Sequence, residues 1–283
     1  MQFSVRLLAQ TPSARIPFNY PYLLTGWLYR VLADADRQYT AFLHERGYQV
    51  TAEHSGRLKT FRLFTFSDLR LHGYDVRPRE GCFVLTSPVV DWTLSFYVDR
   101  AAEAFIRGLF ADQRLTLVNR HVRTELLVER VETRPLPFFG EALTLRTLSP
   151  VVVAEKDLTG MDQYLHPADE RFGPLLLHNL VDKYRSAGRG DAGRRSDAGL
   201  MSAGGEAAGV TTAELGFTLL SHPDRIRSRL IAIKEGSPQE TKVRGYYGFD
   251  FTLRAPADVL EVALLAGVGR YNAEGFGCVE LKS

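Results

Sequence analysis

The sequence predicts an α+β protein made of two tandem ferredoxin-like (RRM-like) domains, residues 1–138 and 139–283, with a C-terminal glycine-rich loop. Three observations carry this expectation. The apolar period alternates along the chain between two and three to four residues. The segment TRPLPFFGEA, with two prolines and a glycine, breaks the pattern near the middle. After that break, the earlier succession of strand, helix, strands, helix and strand begins again. At 283 residues, with 45% hydrophobic and 24% charged side chains, the chain is long enough for two small cores.

In the first half, Phe3, Val5 and Leu7 alternate with Gln2, Ser4 and Arg6, so residues 2–9 read as a half-buried strand. From Phe18 to about Ala33, Tyr20, Leu24, Trp27, Leu28 and Val31 recur at helical spacing. Tyr39, Phe42 and Leu43 mark a shorter helix ending near Gly47. Strands are expected over 61–66 and 82–86, a helix over 101–110, then strands over 115–118 and 124–131. The second half repeats the scheme with a strand over 143–153, a helix over 175–184 and strands over 215–220, 229–233 and 245–253. A short helix over 256–265 and a final strand over 278–281 complete it. Between them, residues 186–209 are rich in Gly, Ala, Ser and Arg without an apolar period, and read as a loop. It is either a tolerated insertion or an RNA-tracking arm using Arg185, Arg189, Arg194 and Arg195.

Composition excludes several classes. A formal net charge of +2 confines any nucleic-acid site to a local patch. Cys82 and Cys278 belong to no CxxC or Cys/His cluster, which argues against a zinc ribbon or redox motif and fits a reducing cytoplasm. The first residues lack the apolar core of a signal peptide, and no stretch is apolar enough to span a membrane. Asp34, Asp36, Glu155 and Asp157 show no metal-site spacing, so neither metal nor cofactor is expected.

The most informative motif is AGVGRYNAEGFGCVEL. Gly267, Gly269, Gly275 and Gly277 allow a backbone to approach a ligand and aim N–H groups at phosphate oxygens, while Arg270 and Tyr271 add a cation and a stacking face. A dinucleotide site would need such glycines after the first strand rather than near the end of the chain. Arg225, Arg227 and Arg229, spaced by two, would share one face of a strand; Lys234, Lys242 and Arg244 extend the patch. That pattern fits RNA contact or a charge-blunted edge strand. Helical projection puts Tyr22 and Tyr29 opposite the apolar stripe, with Gly26 between them.

With these motifs in view, the sequence resembles the CRISPR-associated repeat-processing endoribonucleases of the RAMP (repeat-associated mysterious protein) superfamily. The likeness rests on the GxG…GFG loop, PFNYPYLLTGWLYRVL, FLHERGY, LFTFSDL, TLSPVVV, HNLVDKY and GYYGFDFTL, in order along nearly the whole chain. It implies a tandem ferredoxin-like fold, CRISPR repeat RNA within precursor crRNA as substrate, and one metal-independent cut per repeat. A CRISPR interference complex is the implied partner, with a monomer or homodimer as the working form.

The family's catalytic tyrosine and histidine match Tyr29, in WLYRVL, and His44, in FLHE. His54, in the polar segment TAEHSGR, is a local rival. The family's lysine precedes an FTFS-like strand; here Arg62 holds the strict offset and Lys59 lies three residues earlier. Lys59 is the first choice for stabilising phosphate charge and Arg62 the alternative, since a regular strand would send them to opposite faces. Two other readings stand beside the enzyme: a noncatalytic guide-RNA-binding subunit, and a metabolic protein whose glycine loop binds a small anion.

Overall fold

The computed structural model describes residues 1–189, 210–233 and 240–282. The alternation read in residues 2–9 places the Gln2–Ala9 strand inside an antiparallel sheet, where one face can be covered. Its neighbours are Arg123–Arg134 and Val89–Phe96. Arg114–Val118 lies beyond the former, while Phe64–Phe66 and Arg70–Leu71 pair with the latter. Three helices belong to this half: α1 (Tyr20–Ala35), α2 (Arg37–Glu45) and α3 (Asp99–Ala111). The apolar stripe of α1 meets the sheet through Trp27, 5.9 Å from Trp92 and 6.4 Å from Phe105 between ring centroids. The indole N–H of Trp27 donates to the Arg114 carbonyl at 2.8 Å, so burying the ring leaves its own donor paired. Helices α1 and α3 cross at Gly108, where any Cβ would collide with the Val31 carbonyl oxygen. Asp36 caps α2 by accepting from the Tyr39 N–H at 2.9 Å.

The second sheet runs Gly216–Leu219, Asp250–Arg254, Ala142–Thr147, Val279–Leu281, again antiparallel. Its helices are α4 (Phe172–Arg189) and α5 (Ala257–Ala266). Seven of the ten residues of α5 are buried, because it also touches the Phe64–Phe66 and Val89–Phe96 strands of the first sheet. A helix apolar on all sides needs cover on all sides, and here both halves supply it. No helix among the described residues is long and apolar enough to cross a membrane.

Several expected elements differ. The Val89–Phe96 strand is not among the expected ones, although Val90, Trp92, Leu94 and Phe96 alternate with Asp91, Thr93 and Ser95; Thr93 and Ser95 are buried on the other face, so both faces of its second half are covered. The strand expected at 82–86 is Cys82–Leu85, which pairs with Arg15–Pro17 and Tyr74–Arg77 in a separate small sheet. The strand expected over 61–66 is two: Leu58–Phe61 pairs with Tyr48–Thr51, the chain turns at Leu63 (φ 56°), and Phe64–Phe66 enters the main sheet. The strand expected over 143–153 stops at Thr147, with Val151 to Val153 buried in irregular chain. That expected over 245–253 is broken at Gly248 (φ 75°) into Thr241–Tyr247 and Asp250–Arg254. Helix α4 continues through Ser186 to Arg189, into the segment expected as a loop; residues 190–209 lie outside the described residues.

Candidate active site

A cleft of about 1150 Å³ lies where the two halves meet. From α1 it receives Tyr22 and Tyr29, from α2 His44, and from the chain around Leu58–Phe61 both Lys59 and Arg62. Helix α4 contributes Asn179 and Lys183, and the loop after α5 contributes Gly269, Arg270 and Tyr271. The exposed face of α1 found by projection is therefore one wall of the cleft. Tyr29 is half-buried rather than turned to open solvent.

The Tyr29 and His44 rings meet edge to face, with centroids 5.9 Å apart and an interplanar angle of 85°; Phe64 supports Tyr29 from 6.1 Å. Burial raises the pKa of the Tyr29 hydroxyl, and the Arg62 guanidinium opposes that rise only in part. The phenol thus keeps its proton at neutral pH and can donate a hydrogen bond. Arg62 donates from Nε to the Leu43 carbonyl at 3.1 Å and from an Nη to the His44 carbonyl at 3.2 Å, closing the C-terminal turn of α2. Lys59 Nζ donates to Asp182 at 2.7 Å. The regular strand ends at Phe61, and although both residues line the cleft they are held by different elements, Lys59 by α4 and Arg62 by the end of α2. His54 is elsewhere: its ring stacks on His178 at 4.5 Å, and burial together with His54 lowers the His178 pKa.

Side chains of both halves hold the glycine loop. Thr25 donates to the Ala273 carbonyl at 3.2 Å and Thr65 to the Phe276 carbonyl at 3.0 Å. Gly269 (φ 69°) passes so near Val152 that a Cβ would lie 2.5 Å from its carbonyl oxygen, and at Gly277 (φ 69°) a Cβ would collide with the Val268 carbonyl. Lys183 is 1% exposed and donates to the carbonyls of Gly267 at 2.6 Å and Gly269 at 2.8 Å. Burial, reinforced by nearby Lys59, pushes its pKa well below the ordinary lysine value. The two carbonyls accept from the one amine nitrogen, so both are satisfied in the interior.

Replacing Lys183 with methionine, of similar length, orphans both carbonyls. The expected loss is about 2–5 kcal/mol, read from the urea midpoint. The linkage has a definite sign. The folded protein binds fewer protons than the unfolded one between the lowered pKa and 10.5, so the lysine's contribution is full above 10.5 and fades as pH falls through the folded value. The stability gap between wild type and Lys183→Met should therefore widen as pH rises toward 10.5; a gap constant below 10.5 would contradict the lowered pKa.

Of the other sequence candidates, Arg270 and Tyr271 stay at the cleft and the rest are dispersed. Arg270 is tethered to the Ala154 carbonyl at 2.6 Å and to Asp162 at 3.3 Å, and Tyr271 sits in the left-handed region (φ 63°). Gly275 packs on the Phe66 ring. The hairpin of Arg227–Ile233 and Thr241–Tyr247 exposes Arg227, Lys242 and Arg244, with exposed Arg225 just before it. Arg229 turns inward to Asp68 at 2.6 Å, so the expected row of three arginines does not share an open face. Arg185 pairs with Glu53 at 2.5 Å. Lys234, Arg194, Arg195 and the side chain of Arg189 lie outside the described residues. Sequence reasoning missed Asn179, Asp182 and Lys183 as side chains at or beside the cleft; their three- and four-residue spacing on α4 was the available signal. Among the described residues, no three His, Cys, Asp or Glu side chains are grouped as a metal site.

Comparison with known proteins agrees in both halves. The family model for "CRISPR associated protein Cas6, C-terminal" matches residues 132–281, and that for "CRISPR-associated protein Cas6, N-terminal" matches residues 15–131. A CRISPR-associated endoribonuclease Cas6 of Pyrococcus furiosus is 26% identical over 286 aligned positions, covering 100% of this chain and 90% of the relative. Among solved structures, one described as a Cas6-related gene product from Pyrococcus furiosus superposes with a TM-score of 0.74 at 18% identity, covering 100% of this chain and 98% of the other. A RAMP protein described as binding different RNA substrates gives 0.72 at 17% identity, with 100% of both chains covered.

Proposed function

The chain belongs to the Cas6 family of CRISPR-associated proteins, and from that premise we propose that it is a metal-independent endoribonuclease that binds CRISPR repeat RNA and cuts precursor crRNA once per repeat. The observation that carries the reading is the edge-to-face Tyr29–His44 pair, set in one cleft with Lys59, Arg62 and the glycine loop. Internal transesterification needs a proton removed from the 2′-hydroxyl, charge stabilised on the phosphorus oxygens, and a proton given to the departing 5′-oxygen. His44 is exposed to the cleft and acts as general base or acid. Tyr29, kept as a phenol, orients or polarises the nucleophile. Lys59 stabilises the phosphorane, with Arg62 as the alternative. The 2′-oxygen bonds to phosphorus, the bond to the 5′-oxygen breaks, and the products carry a 2′,3′-cyclic phosphate and a 5′-hydroxyl.

The two sheets support the tandem ferredoxin-like reading, with 1–138 and 139–283 as the domains. In the second sheet the first strand lies between the last and the third, and the second pairs with the third; in the first, Gln2–Ala9 likewise lies between Arg123–Arg134 and Val89–Phe96, and Phe64–Phe66 pairs with Val89–Phe96, with Arg70–Leu71 and Arg114–Val118 added. The Gly267–Gly277 loop, with Arg270 and Tyr271, and the exposed hairpin cations are the surfaces we assign to RNA.

The test is single-turnover cleavage of the cognate repeat RNA in excess chelator, with the product ends identified. One cut per repeat, a cyclic phosphate and an unchanged rate in chelator are expected. Tight binding without any cleavage would instead identify a guide-RNA holder, and dependence on added divalent ion would overturn the mechanism.

A further inference from the structure

Helix α4 carries buried polar side chains where a packed helix ordinarily presents apolar ones. Asn179, Asp182, Lys183 and Ser186 follow one another at the spacing of a single face, and all four are buried. Withdrawing polar groups from water is costly unless they are paired, so their partners indicate what the stripe does. Ser186 bonds back to the Lys183 carbonyl within the helix, and Lys183 holds the glycine loop. Asp182 reaches the other way, to Lys59 of the first half. The Asp182 side chain is 5% exposed and that of Lys59 is 31% exposed, so the carboxylate is enclosed while the lysine side chain stays partly open and lines the cleft.

Resting on the reading of this cleft as the cleavage site, we propose that Asp182 is a positioning residue that holds the Lys59 ammonium at the cleft wall for the scissile phosphate. A lysine side chain has four flexible carbons, and an unheld ammonium would spread over many positions. The bond to Asp182 uses one of the three N–H donors of Nζ and leaves the others for phosphate oxygens. Asp182 acts through Lys59 and need not touch RNA. Its contribution lies in the chemical step rather than in binding, because the charge it places matters most when the phosphorane gains negative charge.

The experiment compares Asp182→Asn, Lys59→Met and the double variant with wild type. Single-turnover cleavage at saturating enzyme, repeat-RNA affinity and melting temperature are measured for each. Lys59→Met alone leaves a buried carboxylate unpaired and can impair folding; the double variant removes both charges and keeps the comparison interpretable. Asp182→Asn should slow the chemical step on the order of a hundredfold with affinity nearly unchanged. In the Lys59→Met background the same change should have no further effect on cleavage. Wild-type cleavage by Asp182→Asn, independent multiplication of the two losses, or a loss that vanishes well below the melting midpoint would each overturn the proposal. A double variant that cleaves normally would overturn the role of Lys59 as well. Failure of the wild type to cut its repeat would instead remove the enzyme reading itself, and the positioning role with it.

Discussion

Replacing His44 with alanine is expected to slow cleavage by about 10²–10⁴-fold, the usual contribution of a positioned acid or base. Affinity for repeat RNA should change little. His44 is exposed on the last turn of α2, and Arg62 holds the main chain of that turn through the His44 carbonyl. Removing the imidazole therefore leaves the helix end, the Arg62 contacts and the glycine loop in place. The ring contact with Tyr29 is lost, but Tyr29 is also supported by Phe64. Rates should be measured at saturating enzyme so that binding and chemistry separate. A His44→Ala protein that cuts within a few-fold of wild type would move the proton-transfer role to another group. His54 would not be an easy substitute, since it does not line the cleft and its ring is engaged with His178.

A single deoxyribose at the nucleotide bearing the attacking 2′-hydroxyl is expected to abolish cleavage altogether, because internal transesterification has no other nucleophile. Deoxy substitution at neighbouring positions should leave the cut in place. The modified RNA should still bind, since under the proposed reading the cations address phosphate oxygens that the substitution does not alter; the N–H groups of Val268, Arg270, Gly275 and Gly277 already donate to carbonyls within the protein. Together with Asp182→Asn, this separates loss of the nucleophile from loss of phosphate stabilisation. Residual cutting of the deoxy substrate at the same bond would require an external nucleophile and would end the transesterification scheme.

Parts of this protein were legible wherever local pattern and tertiary role coincide. The alternation of Phe3, Val5 and Leu7 identified a half-covered strand, and the stripe of Leu24, Trp27, Leu28 and Val31 identified the packing face of α1. The opposite face then pointed to Tyr22 and Tyr29, which line the cleft. Legibility failed where burial and regular structure part company. Irregular Val151 to Val153 resembled a continuing strand because they are apolar and buried without being in one, whereas Val89–Phe96 does alternate and was a strand signal passed over.

The matching of Tyr29 with His44 rested on the family resemblance, and their ring contact is a finding of the structure; by itself the sequence determined the α+β class, the succession of most elements and the glycine-rich stretch near the end. These follow from period, capping and turn chemistry, which act over a few residues. Only the tertiary structure decided which cations share the cleft and what they are bound to. Lys59 meets Asp182 across 123 positions of chain, Lys183 meets Gly267 across 84, and Arg229 is drawn to Asp68 across 161. Such pairs leave no local period, because their geometry is set by how the two sheets and α5 pack together. The same lysine or arginine pattern is open for substrate or closed by an acid according to that packing alone.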